Sequence, residues 1–138
     1  MSTNAVIFYK SADGTFNGIS VHFDGYVDGG VGEQLDRFWN DEEMIKKLCE
    51  TKREIRCFGN DFDDIEFFDD YTNPLCRKNI KRLKGLTYDE MVNRSGNFNY
   101  SYFWDTNTKT KRREWFLIKN GYTFQPVKAI LETAYPCH

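Results

Sequence analysis

The sequence predicts an α+β domain with a mostly antiparallel sheet of two hairpins and with helices packed on one face. Two pairs of runs rich in β-branched and aromatic residues, each pair joined by turn residues, predict the hairpins. Apolar residues at helical spacing follow each pair and predict the helices. The length of 138 residues suits a single domain, residues 1–138, with an irregular acidic-then-basic middle section at 51–95.

The first hairpin is predicted near the N-terminus. Residues 5–9 are a short run of strand formers, residues 11–15 have turn chemistry, and residues 16–24 form the second run. Apolar and polar residues alternate in this second run, which directs the apolar ones into the core. The polar residues that the alternation brings together on the opposite strand face are Ser20, His22 and Asp24.

A glycine-rich loop over residues 25–32 leads into the first predicted helix, residues 31–50. The apolar positions of this helix recur at three-, four- and seven-residue intervals, as on one helical face. Asn40 and Asp41 precede two glutamates and could cap a new helix, so the sequence leaves open a break near Asn40.

The middle section changes composition twice. In residues 61–70, which we call the acidic-aromatic segment, six of ten residues are acidic and the other four are apolar. In residues 77–84, five of eight residues are basic. Pro74 lies between the two stretches and disfavours one continuous helix through both.

The second hairpin is predicted from residues 97–105 and 112–119, with a turn at residues 106–109. Asn-Gly after residue 119 ends the second strand, and Thr123 is the predicted cap of a final helix. The apolar residues that this helix would bury are Phe124, Val127, Ile130 and Leu131.

Composition excludes several classes of function and reveals no reaction. The net charge of −2 excludes a uniformly basic coat, and the aromatic run at residues 98–104 has no RNA-binding consensus, so direct nucleic-acid binding is not expected. The four cysteines form no C-x-x-C pair and His22 is the only internal histidine, so we predict no catalytic residue, metal site or cofactor. Without a membrane-length apolar stretch or a signal peptide, a cytoplasmic protein is expected.

A His-x-Asp-Gly-Tyr motif at residues 22–26, flanked by aromatic residues, is followed by Gly-Val-Gly at residues 30–32 and by Leu35 in the helix. This combination resembles that of small, mostly uncharacterised phage and prophage proteins. The resemblance implies a phage-encoded accessory protein of the host cytoplasm and implies no settled activity. Those proteins continue with a Gly-Asp-Leu/Ile-Ser-Ser-type stretch where this chain has Lys-Arg-Glu-Ile-Arg at residues 52–56, so nothing carries over to the middle section.

The acidic-aromatic segment is the first candidate site. Carboxylates interleaved with aromatic rings could imitate a nucleic-acid backbone or dock on a basic groove of a protein. We therefore expect a host or defence protein with a basic surface as the partner that this chain antagonises. The alternative is an amphipathic segment that buries its rings while its acids stay solvated. The predicted partner-binding residues are Asp61, Phe62, Asp63, Asp64, Glu66, Phe67, Phe68, Asp69 and Asp70.

The glycine-rich loop is the second candidate site, for a phosphate or a nucleotide. Glycines permit unusual backbone angles, and the first turn of a helix offers N–H groups to an anion. His22 and Asp24 could act there as a base and its orienting group. The simpler alternatives are a tight turn before the helix and polar side chains that brace it, because the Lys-Ser/Thr of a P-loop is missing. The residues of this alternative site are His22, Asp24, Gly29, Gly30 and Gly32.

Overall fold

The computed structural model describes residues 3–68, 74–119 and 123–134. The chain has the predicted α+β class, with helices and a sheet. The elements in chain order are β1 (Ala5–Lys10), β2 (Phe16–Val21), α1 (Val31–Phe38), α2 (Glu42–Glu50), β3 (Ile55–Cys57), a 3-10 turn (Phe62–Asp64), β4 (Glu66–Phe67), α3 (Pro74–Lys81), α4 (Tyr88–Ser95), β5 (Tyr100–Thr106), β6 (Arg113–Lys119), β7 (Thr123–Pro126) and α5 (Val127–Ala134).

The sheet is mixed, and the prediction of a mostly antiparallel sheet of two hairpins is wrong. Both hairpins form, β1 with β2 and β5 with β6, but they belong to one seven-stranded sheet in the order β4-β3-β2-β1-β5-β6-β7. The hairpins join through β1 and β5, which pair in parallel from Ala5 opposite Tyr100 to Tyr9 opposite Trp104. β3 adds a second parallel pairing to β2. This joining of distant segments has no signature in local sequence.

Helices pack on both faces of the sheet, which corrects the prediction that they pack on one. On the first face, α1, α2 and α5 enclose a core that includes Ile7 and Tyr102, here the first core. On the second face, α4 and the connection before it pack on Phe8 and Phe103, here the second core. Residues 5–8 have no exposed surface at all. Such a continuous apolar run is typical of a strand that is buried on both sides.

The first predicted helix is divided in two, at the break near Asn40 that the sequence leaves open. α1 ends at Phe38 and α2 begins at Glu42. The Asp41 side chain caps α2 by accepting hydrogen bonds from the backbone N–H groups of Glu43 and Met44. A carboxylate in this position satisfies amides that the helix itself leaves unpaired.

The last helix begins later than predicted. Residues 123–126 form β7, which pairs antiparallel with β6, and α5 begins at Val127. The spacing predicts that Phe124 lies on the apolar face of the helix. It packs instead at the second core, with its ring 5.7 Å from that of Phe103. The prediction is wrong because the unpaired groups of β6 offer this segment a strand ladder, which wins over a weak helical pattern.

Candidate functional site

The aromatic rings of the acidic-aromatic segment are fixed against the protein. Phe62 and Phe67 are half-buried at the first core, with ring centroids 5.7 Å apart. The Lys47 Nζ lies 4.3 Å from the Phe62 ring centroid, and the Arg53 Cζ lies 4.3 Å from the Phe67 centroid. Cation–π contacts of this kind contribute about 0.5–1 kcal/mol each at exposed sites, so they help to hold both rings.

The carboxylates of the same segment face solvent. The exposed acidic residues are Asp61, Asp63, Asp64 and Glu66. The Asp61 Oδ1 accepts a hydrogen bond from the backbone N–H of Asp64 at 2.9 Å, and the Asp64 Oδ2 accepts one from the N–H of Asn60 at 3.3 Å. Glu66 pairs with Arg56 at 3.5 Å, both side chains being exposed. The predicted residues Asp69 and Asp70 lie outside the described part of the chain. The described residues thus form an amphipathic segment, with Phe62 and Phe67 against the first core and the carboxylates outward, while Phe68 lines a separate cavity.

The glycine-rich loop uses its own backbone to satisfy the start of α1. The N–H groups of Val31, Gly32 and Glu33 donate to the carbonyl oxygens of Asp24, Tyr26 and Val27, at 2.9, 3.0 and 2.8 Å respectively. A phosphate at a helix N-terminus binds through these very groups. The donors that the second candidate site requires are therefore occupied within the loop.

Close packing explains two of the glycines in this loop. A Cβ atom on Gly30 would lie 2.3 Å from the Asp24 carbonyl oxygen, and one on Gly32 would lie 2.7 Å from the Val27 Cα. Backbone approaches this closely only where no side chain intervenes. The glycines therefore serve the turn before α1, in line with the simpler of the two interpretations.

Tyr102 fastens this loop to the sheet, and its hydroxyl gives a first prediction. The buried Tyr102 hydroxyl donates to the Gly25 carbonyl oxygen at 2.7 Å, and burial raises the pKa of the phenol. Tyr102→Phe is expected to lower the free energy of unfolding by about 1–2 kcal/mol, because a buried carbonyl loses its donor. Urea unfolding measures this loss. The neighbouring Tyr100→Phe should change the free energy of unfolding by less than about 0.5 kcal/mol, and equal losses for both variants would contradict the prediction.

The structure separates His22 from the rest of the second candidate site. β2 ends at Val21, and Asp24 has a φ angle of 58°, which ends the strand alternation. Three residues of this candidate site do line one cavity, which has a volume of about 350 Å³: Asp24, Gly29 and Gly30. His22 instead lines a different cavity with Ser20, and Gly32 is buried. His22 and Asp24 therefore face different surroundings and do not form a base with its orienting group.

The cavity that contains His22 includes residues that sequence reasoning missed. It lies between the second face of the sheet and the helices α3 and α4. Arg82, directly after α3, and Arg94 of α4 line it together with Phe68. Arg82 belongs to the basic run at residues 77–84, but the sequence gives no sign that this run folds over His22.

Among the described residues, no group of three His, Cys, Asp or Glu side chains is placed so that it could hold a metal ion. The helices of the same residues include none that is long and apolar enough to cross a membrane. Comparison of the chain with protein-family models, with curated proteins and with solved structures gives no match. The resemblance to phage proteins therefore stays a prediction from the sequence.

Proposed function

We propose that this chain is a phage-type accessory protein of the host cytoplasm that acts by binding, and that its acidic-aromatic segment docks on a basic surface of a host or defence protein. The observation that carries the proposal is the division of the segment, whose Phe62 and Phe67 rings pack on the first core while its described carboxylates are exposed. Because its rings are already held in place, the segment would lose little conformational freedom when a partner binds.

Charge complementarity is the expected driving force of this contact. Four exposed carboxylates lie within residues 61–66 of a chain whose net charge is −2. Lys47 and Arg56 lie beside them and offset part of this charge. Salt screens exposed charges over about 8–10 Å at physiological ionic strength. Association should therefore weaken as the salt concentration rises, mainly through a slower association rate.

Charge reversal at two of the four carboxylates tests the proposal. Asp63→Lys with Glu66→Lys is the suitable variant, because the carboxylates that hold backbone amides are those of Asp61 and Asp64. We expect capture of the partner from a bacterial lysate to fall about tenfold or more, since like charges then face each other. The melting temperature should stay within about 3 °C of the wild type.

The matched control reverses two exposed carboxylates elsewhere, with Asp89→Lys in α4 and Glu132→Lys in α5. It changes the net charge by the same amount and should capture the partner as the wild type does. Quantitative mass spectrometry of the captured proteins compares the three chains. If no captured protein distinguishes the reversed variant from the control, the acidic-aromatic segment is not the docking surface.

A further inference from the structure

Two arginines, Arg82 and Arg94, are among the residues that line the cavity with His22, and this cavity has a volume of about 350 Å³. The Arg94 Nε donates to the Arg82 carbonyl oxygen at 3.3 Å, which ties α4 to the chain just after α3. The Arg82 side chain is exposed, and its backbone N–H donates to the Lys78 carbonyl oxygen at 3.1 Å. Guanidinium groups match the geometry of carboxylates and phosphates better than any other side chain. The pair therefore favours an anionic group in this cavity.

Two aromatic rings complete the walls. Phe68 and Phe98 line the cavity, and Phe68 meets His22 edge to face with ring centroids 5.6 Å apart. The turn after α4 places the second ring, because the Phe98 N–H donates to the Ser95 carbonyl oxygen at 3.2 Å. Rings at the wall of a cavity provide contact area for a flat, apolar group. A ligand that combines an anion with such a group would use both features.

Polar side chains supply further hydrogen-bonding groups around the cavity. Amides can donate and accept, so they suit the edge of a heterocyclic ring. The polar uncharged residues on the walls are Asn4, Ser20, Asn79 and Asn97. Among the described residues that line the cavity, Glu54 alone carries a carboxylate against the two arginines, so these described residues carry a net positive charge.

We propose that this cavity binds a phosphorylated ligand with one aromatic ring system, of the size of a nucleoside monophosphate. Arg82 and Arg94 bind the phosphate, and the rings of Phe68 and Phe98 contact the base. Ligand cavities range over about 300–1,000 Å³, and a volume near the lower end suits one nucleotide and not two. Except for Phe68, the site shares no residue with the acidic-aromatic segment and does not depend on the docking function proposed above.

The outer surface of α3 supports an anionic ligand. Arg77, Lys78 and Lys81 line a concave surface next to the cavity, and Arg82 borders both. A cluster of cations around an opening raises the local concentration of anions and speeds their arrival.

Isothermal titration of the full chain with the four nucleoside monophosphates, adenosine 5′-monophosphate first, tests the proposal. We expect at least one of them to bind with a dissociation constant below about 1 mM. Arg82→Gln should weaken this binding about tenfold or more, because it removes a charge-assisted contact from an exposed side chain. The matched control is Arg112→Gln, which makes the same change of charge at an exposed arginine just before β6, outside the cavity and outside the α3 surface, and should bind within about threefold of the wild type.

Three further probes complete the test: inorganic phosphate, adenosine and a short oligothymidylate. Inorganic phosphate and adenosine should each bind at least about tenfold more weakly than the monophosphate, since each uses only part of the site. Phosphate binding as tight as that of the monophosphate would overturn the assignment of the rings. Tighter binding of a short oligothymidylate, equal losses in both arginine variants, or no binding of any monophosphate would overturn the proposal as a whole.

Discussion

Replacement of Trp39 by alanine is expected to lower the free energy of unfolding by about 3–5 kcal/mol, as the loss of a buried tryptophan generally does. Trp39 lies between α1 and α2 and has no exposed surface. Its Nε1 donates to the Gly59 carbonyl oxygen at 3.0 Å, and its ring stacks on Phe58 with centroids 5.3 Å apart. Its carbonyl oxygen accepts a hydrogen bond from the Trp115 Nε1 at 2.8 Å. The residue thus joins the break between two helices to the segment after β3 and to β6.

Urea unfolding followed by circular dichroism measures this loss. The matched control is Phe38→Ala, because Phe38 is the adjacent residue and is 49% exposed. Its free energy of unfolding should fall by less than about 1 kcal/mol. The loss of free energy of unfolding in Trp39→Phe should be intermediate between those of Trp39→Ala and Phe38→Ala. This variant keeps most of the apolar volume but loses the hydrogen bond to Gly59. Equal losses for Trp39→Ala and Phe38→Ala would contradict the role of Trp39 in the first core.

The features that the sequence predicts correctly depend on local chemistry. The hairpin of β1 and β2 follows from turn residues between two strand-forming runs, and the break before α2 follows from the capping carboxylate of Asp41. Burial of β1 on both faces was not predicted, although the continuous apolar run at residues 5–8 is a signal that could have indicated it. That run is typical of a strand between two layers of helices.

The assembly of the sheet depends on contacts between distant segments and could not be predicted in this way. β1 pairs in parallel with β5, although residues 11–99 separate the two strands in the sequence. Residues 123–126 have a capping threonine and an apolar spacing that fit a helix, yet pairing with β6 makes them a strand. Strand formation in such cases depends on the partner that the sheet edge offers and not on the intrinsic preference of the residues.

The same distinction applies to the candidate sites. Glycines before a helix predict a tight turn, but they do not show whether the amides of residues 31–33 remain available to a ligand. Strand alternation correctly places Ser20 and His22 at one cavity, and it fails at Asp24, where φ becomes positive. Arg82 and Arg94 come from far along the chain, so their approach to His22 is a property of the fold alone.

Lys84 should make the stability of the folded chain increase with pH above about 8. Its Nζ donates to the carbonyl oxygens of Gly18 and Cys49 at 2.7 and 2.6 Å, so it ties the turn after α3 to β2 and α2. Burial lowers the pKa of Lys84 from 10.5 to about 8, and the nearby Cys49, Glu50 and Lys52 alter it less. The ammonium group is costly to bury, and the folded chain therefore releases its proton more readily than the unfolded chain does.

The direction of the effect follows from proton counting. Between about pH 8 and pH 10.5 the unfolded chain keeps the Lys84 proton and the folded chain loses it, so the free energy of unfolding rises with pH, by about 3 kcal/mol over the whole window. Burial raises the pKa of the Cys49 thiol from 9.0 to about 12, which has the opposite effect above pH 9. The informative range is therefore about pH 7.5 to 9, where Lys84 accounts for a rise of about 1 kcal/mol.

Comparison of the wild type with Lys84→Met isolates this contribution, because the two chains share every other titrating group. Over the range from about pH 7.5 to 9, the free energy of unfolding of the wild type should rise by about 1 kcal/mol relative to that of Lys84→Met. Lys46→Met removes an exposed lysine of α2 instead, and its pH profile should run parallel to that of the wild type. Parallel profiles for the wild type and Lys84→Met would mean that Lys84 keeps its proton in the folded chain. In that case its two carbonyl acceptors stabilise the ammonium group by as much as burial destabilises it.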